Sequence, residues 1–274
     1  MTSIGNIHLK ASSAAEVSAI MHEETERPGQ PFPLDTQMII RDRYELAGRL
    51  AAGRRVLEIG SGSGLGLGYL QTRASEIIAG DFSAENLALL RERFGEQVPI
   101  RHIDAHDLPF APASFDLLVA LAMIYYLELD IFLRQAQTVL APEGVLFFCT
   151  SNRDVPGFWP SPQTTRYYSI PELDRHLREA GFHAEFLGAF PAEGSLGRRR
   201  LRAFAKDSIK RMTLLLPGGL PLWRRLRAKG QQPGVPLPDR VEDMVPSSDA
   251  PVPLPADRRD HNYRVIYVIA RKLT

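Results

Sequence analysis

Val56-Leu57-Glu58-Ile59-Gly60-Ser61-Gly62-Ser63-Gly64-Leu65-Gly66 is the stretch whose reading decides the fold. Val56 to Ile59 is a short apolar run interrupted only by Glu58, as a buried strand requires. A glycine-rich turn follows, and Leu67 to Arg73 opens a helix. Strand, glycine turn and helix in that order make a nucleotide-binding crossover, with bare main chain for a ligand to lie against. Spacing narrows the ligand. A dinucleotide fingerprint needs glycines at positions one, three and six. The glycines here are 60, 62, 64, 66 and 68, all even, so no pair lies five apart. A phosphate loop ending in Gly-Lys-Ser/Thr is also excluded, because no lysine follows.

Two later segments agree with this one in order and spacing. Glu76-Ile-Ile-Ala-Gly80 reads as the next strand and ends in Asp81. An acidic residue about twenty positions after a glycine loop accepts both ribose hydroxyls. The competing reading, Asp81 as cap of the helix Ala84–Phe94, is weaker because Ser83 caps more naturally. Ile100 to Ile103 is a third strand, followed by Asp104-Ala105-His106-Asp107. A carboxylate and a main-chain N–H at adjacent positions match the donor–acceptor edge of adenine.

Glu58-Ile-Gly-Ser-Gly-Ser-Gly64, Asp81-Phe82-Ser83 and Asp104-Ala105 together resemble the motifs of class I methyltransferases (type 11-like) that use S-adenosylmethionine, SAM. The resemblance covers about residues 50–194 and 263–271. It implies a Rossmann-like α/β fold, a doubly wound, seven-stranded, mostly parallel sheet with a helical, basic insertion before the last strand. It also implies that Glu58, Gly60, Ser61, Gly62 and Gly64 hold the methionine half of SAM, and that Asp81 holds the ribose. Phe82, Asp104 and Ala105 meet the adenine, and Ala120 and Leu121 pass the methionine end. The product is S-adenosylhomocysteine. Helices ahead of the first strand often cover the pocket in this family, which makes Tyr44 and Arg41 candidate pocket residues.

The fourth strand is Leu117 to Ala120, near-continuously apolar as a strand covered on both faces should be. Tyr125 and Tyr126 follow at the edge where open parallel sheets bind ligands. Many relatives of the resembled family carry histidines at these two positions; Tyr125 and, separately, His106 after the third strand are the catalytic candidates, although a tyrosine of ordinary pKa is a poor base at neutral pH. Asp130 to Leu140 reads as a helix and Val145 to Cys149 as the fifth strand. Asn152 and Asp154 beyond it are too few oxygens for a magnesium cage, so no metal is expected. Phe158, Trp159 and Tyr167, with Tyr44 and Tyr126, make a wall suited to an organic acceptor.

The chain divides into a helical cap (1–50), the SAM-binding core (51–194), an insertion (195–262) and a final core strand (263–274). Ala11 to Met21 within the cap reads as helical. Between 198 and 229 the insertion carries eleven lysines and arginines against Asp207 alone, a net +10; the chain totals +1, so the rest is −9. Leu201, Phe204, Ala205, Ile209, Met212, Leu215 and Leu216 fall on one helical face. A basic amphipathic helix before the Trp-bearing turn 214–223 suits a lid, a charged acceptor or peripheral contact with an anionic membrane. No RNA-binding module accompanies the charge. Residues 231–256 are proline-rich and read as an extended connector. The single cysteine, Cys149, fits a reducing compartment, and residues 1–10 have no leader pattern, so a cytoplasmic protein is expected. Nothing sets an oligomeric state. The function implied is methyl transfer to oxygen, nitrogen or carbon of a small organic acceptor. Two rivals stay open on these residues: an aminopropyl transferase of the same fold, and a SAM-binding partner without catalysis.

Overall fold

A computed structural model describes residues 25–161, 164–194, 196–197, 204 and 234–273. In chain order its elements are β1 (Pro31–Phe32), α1 (Leu34–Ala51), β2 (Arg55–Ile59), α2 (Leu67–Gln71), β3 (Glu76–Asp81), α3 (Ala84–Phe94) and β4 (Ile100–His102). There follow β5 (Phe115–Leu121), α4 (Leu129–Val139), β6 (Leu140–Ser151), α5 (Ile170–Glu179), β7 (Phe182–Pro191), β8 (Val235–Pro236), β9 (Val252–Leu254) and β10 (Tyr263–Lys272). The expected helices at Ala11–Met21 and over 201–216, and the turn 214–223, lie outside the described residues, apart from position 204.

The central sheet runs β4-β3-β2-β5-β6-β10-β7-β9. The pairs β3–β4, β2–β3, β2–β5 and β5–β6 are parallel. β10 is antiparallel to both β6 and β7 and lies between them. The sheet therefore has eight strands, where seven were expected. The eighth is β9, whose Val252–Leu254 pairs antiparallel with Gly188–Phe186. Pro253 hides this strand in the sequence, but a proline is tolerated where one side of a strand has no partner to serve. The second helix is also shorter than expected, five residues ending at Gln71.

Alternation of side chains across the strands builds two cores. On one face Val56, Leu117, Val119, Phe147 and Tyr267 pack with Ile40, Tyr44 and Ala47 of α1, Leu67 and Leu70 of α2, and Leu87, Leu90 and Phe94 of α3. On the other, Leu57, Ile59, Leu118, Phe148 and Val268 pack with Phe132 and Leu133 of α4 and Leu173 and Leu177 of α5. The described part of the proline-rich stretch 231–256, expected to be an extended connector, is packed on the core. Leu237, Val241 and Met244 are buried in the first core, β8 pairs with β1, and Arg41 donates to the carbonyls of Glu242 and Met244. That contact takes Arg41 away from the pocket.

Candidate functional site

The C-terminal ends of β2, β3 and β5 open into a cavity of about 590 Å3, within the range of small-molecule sites. Its floor is the turn after β2. Gly60 and Gly62 have φ of 64° and 56°, a region that residues with a Cβ rarely enter. A Cβ at Gly60 would also lie 2.6 Å from Met123 Sδ. Gly64 is turned away from the cavity: a Cβ there would strike Phe94 and Leu90 of α3 at 2.5 and 2.8 Å, so this glycine lets the loop pack on the helix.

Asp81, 4% exposed at the end of β3, is fixed by three donors. Its Oδ2 accepts from Gly62 N at 2.9 Å, and its Oδ1 from Ser83 N at 2.8 Å and Asn86 Nδ2 at 3.2 Å. Burial raises its pKa against these hydrogen bonds. Ser83, and not Asp81, caps α3, accepting from Asn86 N at 3.3 Å. Phe82 stands beside it, its ring 5.5 Å from that of His102.

Asp104 Oδ1 accepts from His106 N at 2.8 Å and faces His106 Nδ1 at 2.9 Å. His106 Nε2 accepts from Glu128 N at 3.0 Å. That hydrogen bond places the ring proton on Nδ1, which donates to Asp104. Both ring nitrogens are thus engaged.

At the far end, Tyr125 stacks on Tyr167 with ring centres 4.8 Å apart and meets Tyr126 edge-on at the same distance. Phe158 packs edge-on against Tyr167. Burial lifts the Tyr125 hydroxyl well above its ordinary pKa, with Tyr126 and Tyr167 adding to it.

Of the expected site residues, Tyr44, Gly60, Ser61, Gly62, Asp81, Phe82, Asp104, Ala105, His106, Leu121, Tyr125 and Tyr126 line the cavity. Tyr167 and Phe158 stand behind Tyr125 and off the wall. Trp159 is 49% exposed, and Ala120 is fully buried within β5. Glu58 sits beneath the loop, 1% exposed, with Oε1 accepting from Tyr44 Oη at 3.0 Å and Oε2 without a partner among the described residues. Burial lifts its pKa to about 7, although the Tyr44 hydrogen bond opposes this. Asn152, 4% exposed, is a strut: its Nδ2 donates to the main-chain oxygens of Asp260 and Tyr263. Among the described residues no three His, Cys, Asp or Glu side chains converge on a metal position.

Sequence reasoning missed Thr25, Glu26, Phe32, Arg43, Met123 and Thr165 on the wall. Thr25 and Glu26 lie far from the glycine loop in sequence but close over it: Ser63 Oγ donates to the Glu26 carbonyl at 2.6 Å, and Asn86 Nδ2 to Thr25 Oγ1 at 2.9 Å. Arg43 ion-pairs with Glu26. The signal for Arg43 was its place beside Tyr44 on the helix ahead of the first strand.

The donors fit SAM: a carboxylate at the end of β3, a carboxylate and amide pair after β4, and a glycine cradle that any Cβ would fill. Comparison with known proteins agrees. Residues 57–148 match the family model described as a methyltransferase domain. The chain is 34% identical over 159 residues to a probable S-adenosylmethionine-dependent methyltransferase of Mycolicibacterium smegmatis, covering 55% of this chain and 61% of that one. It is 26% identical over 221 residues to the ubiquinone biosynthesis O-methyltransferase of Xanthomonas euvesicatoria, covering 72% and 92%. The fold is similar to that of the YcgJ protein from Bacillus subtilis, with a TM-score of 0.55 at 16% identity over 85% of this chain and 98% of that one. The chain spans only about half to three-fifths of the length of the mycobacterial relatives it matches. This is an α/β protein with a doubly wound, mostly parallel sheet and a cavity at the C-terminal edge of its strands. Residues 57–148 are similar to a methyltransferase domain, and the chain is similar over about half its length to SAM-dependent methyltransferases.

Proposed function

We propose that this chain moves a methyl group from SAM to a small, largely apolar and aromatic-compatible organic acceptor. The observation that carries the reading is one continuous cavity. It has Asp81 and Asp104 at one end, the glycine turn in the middle, and Tyr125 and Tyr126 at the other. Asp81 would take the ribose chiefly through Oδ2, which accepts from Gly62 N and has a lone pair left for a hydroxyl donor. Asp104 Oδ2 has no partner among the described residues and would take the adenine amine, beside Ala105 N. When bound, SAM supplies a methyl already activated by its sulfonium. The protein's part is then to hold the acceptor close and aligned, and to keep water out.

His106 is a positioning residue in this reading. Its ring spans Asp104 and Glu128 N and has no nitrogen left to take a proton. Tyr125, with its raised pKa, orients an acceptor by donating a hydrogen bond; it is not a general base. The ubiquinone relative is named for O-methylation, which favours a hydroxyl acceptor on a ring. The cap (1–50) and insertion (195–262) would serve this site as cover and as a basic surface near an anionic membrane or acceptor. The test is incubation with methyl-labelled SAM and a panel of phenols, catechols and amines, with label counted in the organic extract. Label in a phenol supports the reading. Tight SAM binding with no transfer to any panel member favours the binding-only rival, and turnover of decarboxylated SAM favours the aminopropyl rival.

A further inference from the structure

Two opposite charges, Glu26 and Arg43, stand paired on the cavity wall. Arg43, from the middle of α1, is 7% exposed. Among the described residues its guanidinium has one hydrogen-bond partner, Glu26, and its Nε is buried with none. A guanidinium has five N–H donors, and a buried one left this short of acceptors has capacity for another anion. Glu26 gives Oε2 to Arg43. Its other oxygen has no partner among the described residues, and its side chain is 23% exposed where it borders the cavity. The Glu26 main chain is pinned to the glycine turn by Ser63 Oγ, so the carboxylate is held over that turn and is not on a free arm.

We propose that Glu26 is the receptor for the α-ammonium of the cofactor's methionine end, with Arg43 holding it in place and presenting its remaining donors to the α-carboxylate. The proposal rests on the SAM reading above. An adjacent anion and cation in a water-poor wall match a zwitterion, and charge-assisted hydrogen bonds of this kind are among the stronger polar contacts. The pair would reject decarboxylated SAM, which leaves Arg43 without its second anion, and would give no credit to an adenosine ligand lacking the amino acid.

Calorimetric titration of the full chain separates this from the alternatives. The probes are S-adenosylhomocysteine, its deaminated analogue (carboxylate kept, ammonium absent) and 5′-methylthioadenosine. Wild type should bind the analogue about tenfold more weakly than S-adenosylhomocysteine. Glu26→Gln should weaken S-adenosylhomocysteine by about the same factor and leave 5′-methylthioadenosine unchanged. The opposite sign is informative: if Glu26 merely plugs Arg43, Glu26→Gln frees the cation and tightens S-adenosylhomocysteine, which overturns the proposal. Equal wild-type affinity for S-adenosylhomocysteine and its analogue overturns it without any variant. Equal affinity for 5′-methylthioadenosine leaves the nucleoside site standing and removes the amino-acid clamp. Failure of wild type to bind all three removes the SAM reading itself, and this proposal with it.

Discussion

At Glu58 a buried carboxylate accepts from Tyr44 Oη on Oε1, while Oε2 has no partner among the described residues. Its pKa of about 7 lies above the ordinary 4.5 because burial disfavours the charge. The folded state therefore binds a proton that the unfolded state has released between about pH 4.5 and 7, and stability from this group falls as pH rises through that window. Glu58→Gln should remove the effect. Relative to wild type, the variant should gain about 2–3 kcal/mol on going from pH 4.5 to pH 8, read from urea midpoints at both values; a pH-independent difference would show that Glu58 titrates normally. Asp81 makes the second prediction at this scale. Asp81→Ala should weaken S-adenosylhomocysteine by about 1–3 kcal/mol, and unchanged affinity in calorimetry would remove its ribose role. Asp81 and Gly60–Gly62 were legible because a strand end and a turn are local in sequence. Glu26 and Arg43 were not. Their importance comes from a contact across seventeen positions, and neither stands in a motif.

At the scale of elements, α5 shows how a helix start fixes the acceptor wall. Ser169 N donates to Glu172 Oε2 at 2.8 Å, closing a capping box with Pro171 in the first turn. Arg166 donates to Glu172 Oε1 at 2.7 Å, and Arg153 Nη1 donates to the Tyr167 carbonyl at 2.7 Å. Although partial burial opposes it, these donors hold Glu172 at a pKa of about 2, so its contribution is lost only as pH falls from about 4.5 toward 2. Glu172→Ala should cost about 1 kcal/mol of stability. It should also speed amide hydrogen exchange over 164–168 several-fold and leave α1 unchanged. Equal protection of 164–168 in both proteins would mean that the aromatic segment is held by its stacking alone. The cap of α5 was readable from Ser169-Ile-Pro171-Glu172. The strands β8 and β9 were not, because two- and three-residue strands containing Pro236 and Pro253 carry no alternation to detect.

For the whole molecule, charge is separated along the sequence, +10 over 198–229 against −9 elsewhere. No described helix is long and apolar enough to cross a bilayer. If the basic stretch docks the protein on anionic lipid, wild type should sediment with phosphatidylserine-containing vesicles at low salt and lose that at high salt. Replacing Arg198, Arg199 and Arg200 by glutamate should abolish it, with S-adenosylhomocysteine affinity unchanged. Wild type that stays in the supernatant at low salt would end the idea.

The place of β10 has a consequence for how the protein is made. A ribosome produces β6 and β7 first, and the strand that belongs between them only after residues 192–262 have been threaded out. Until then the nascent chain exposes two strand edges, one on each side of an empty slot, and unpaired edges of this kind recruit other strands. Translation speed through the basic and proline-rich stretch thus sets how long the unfinished sheet waits with both edges bare.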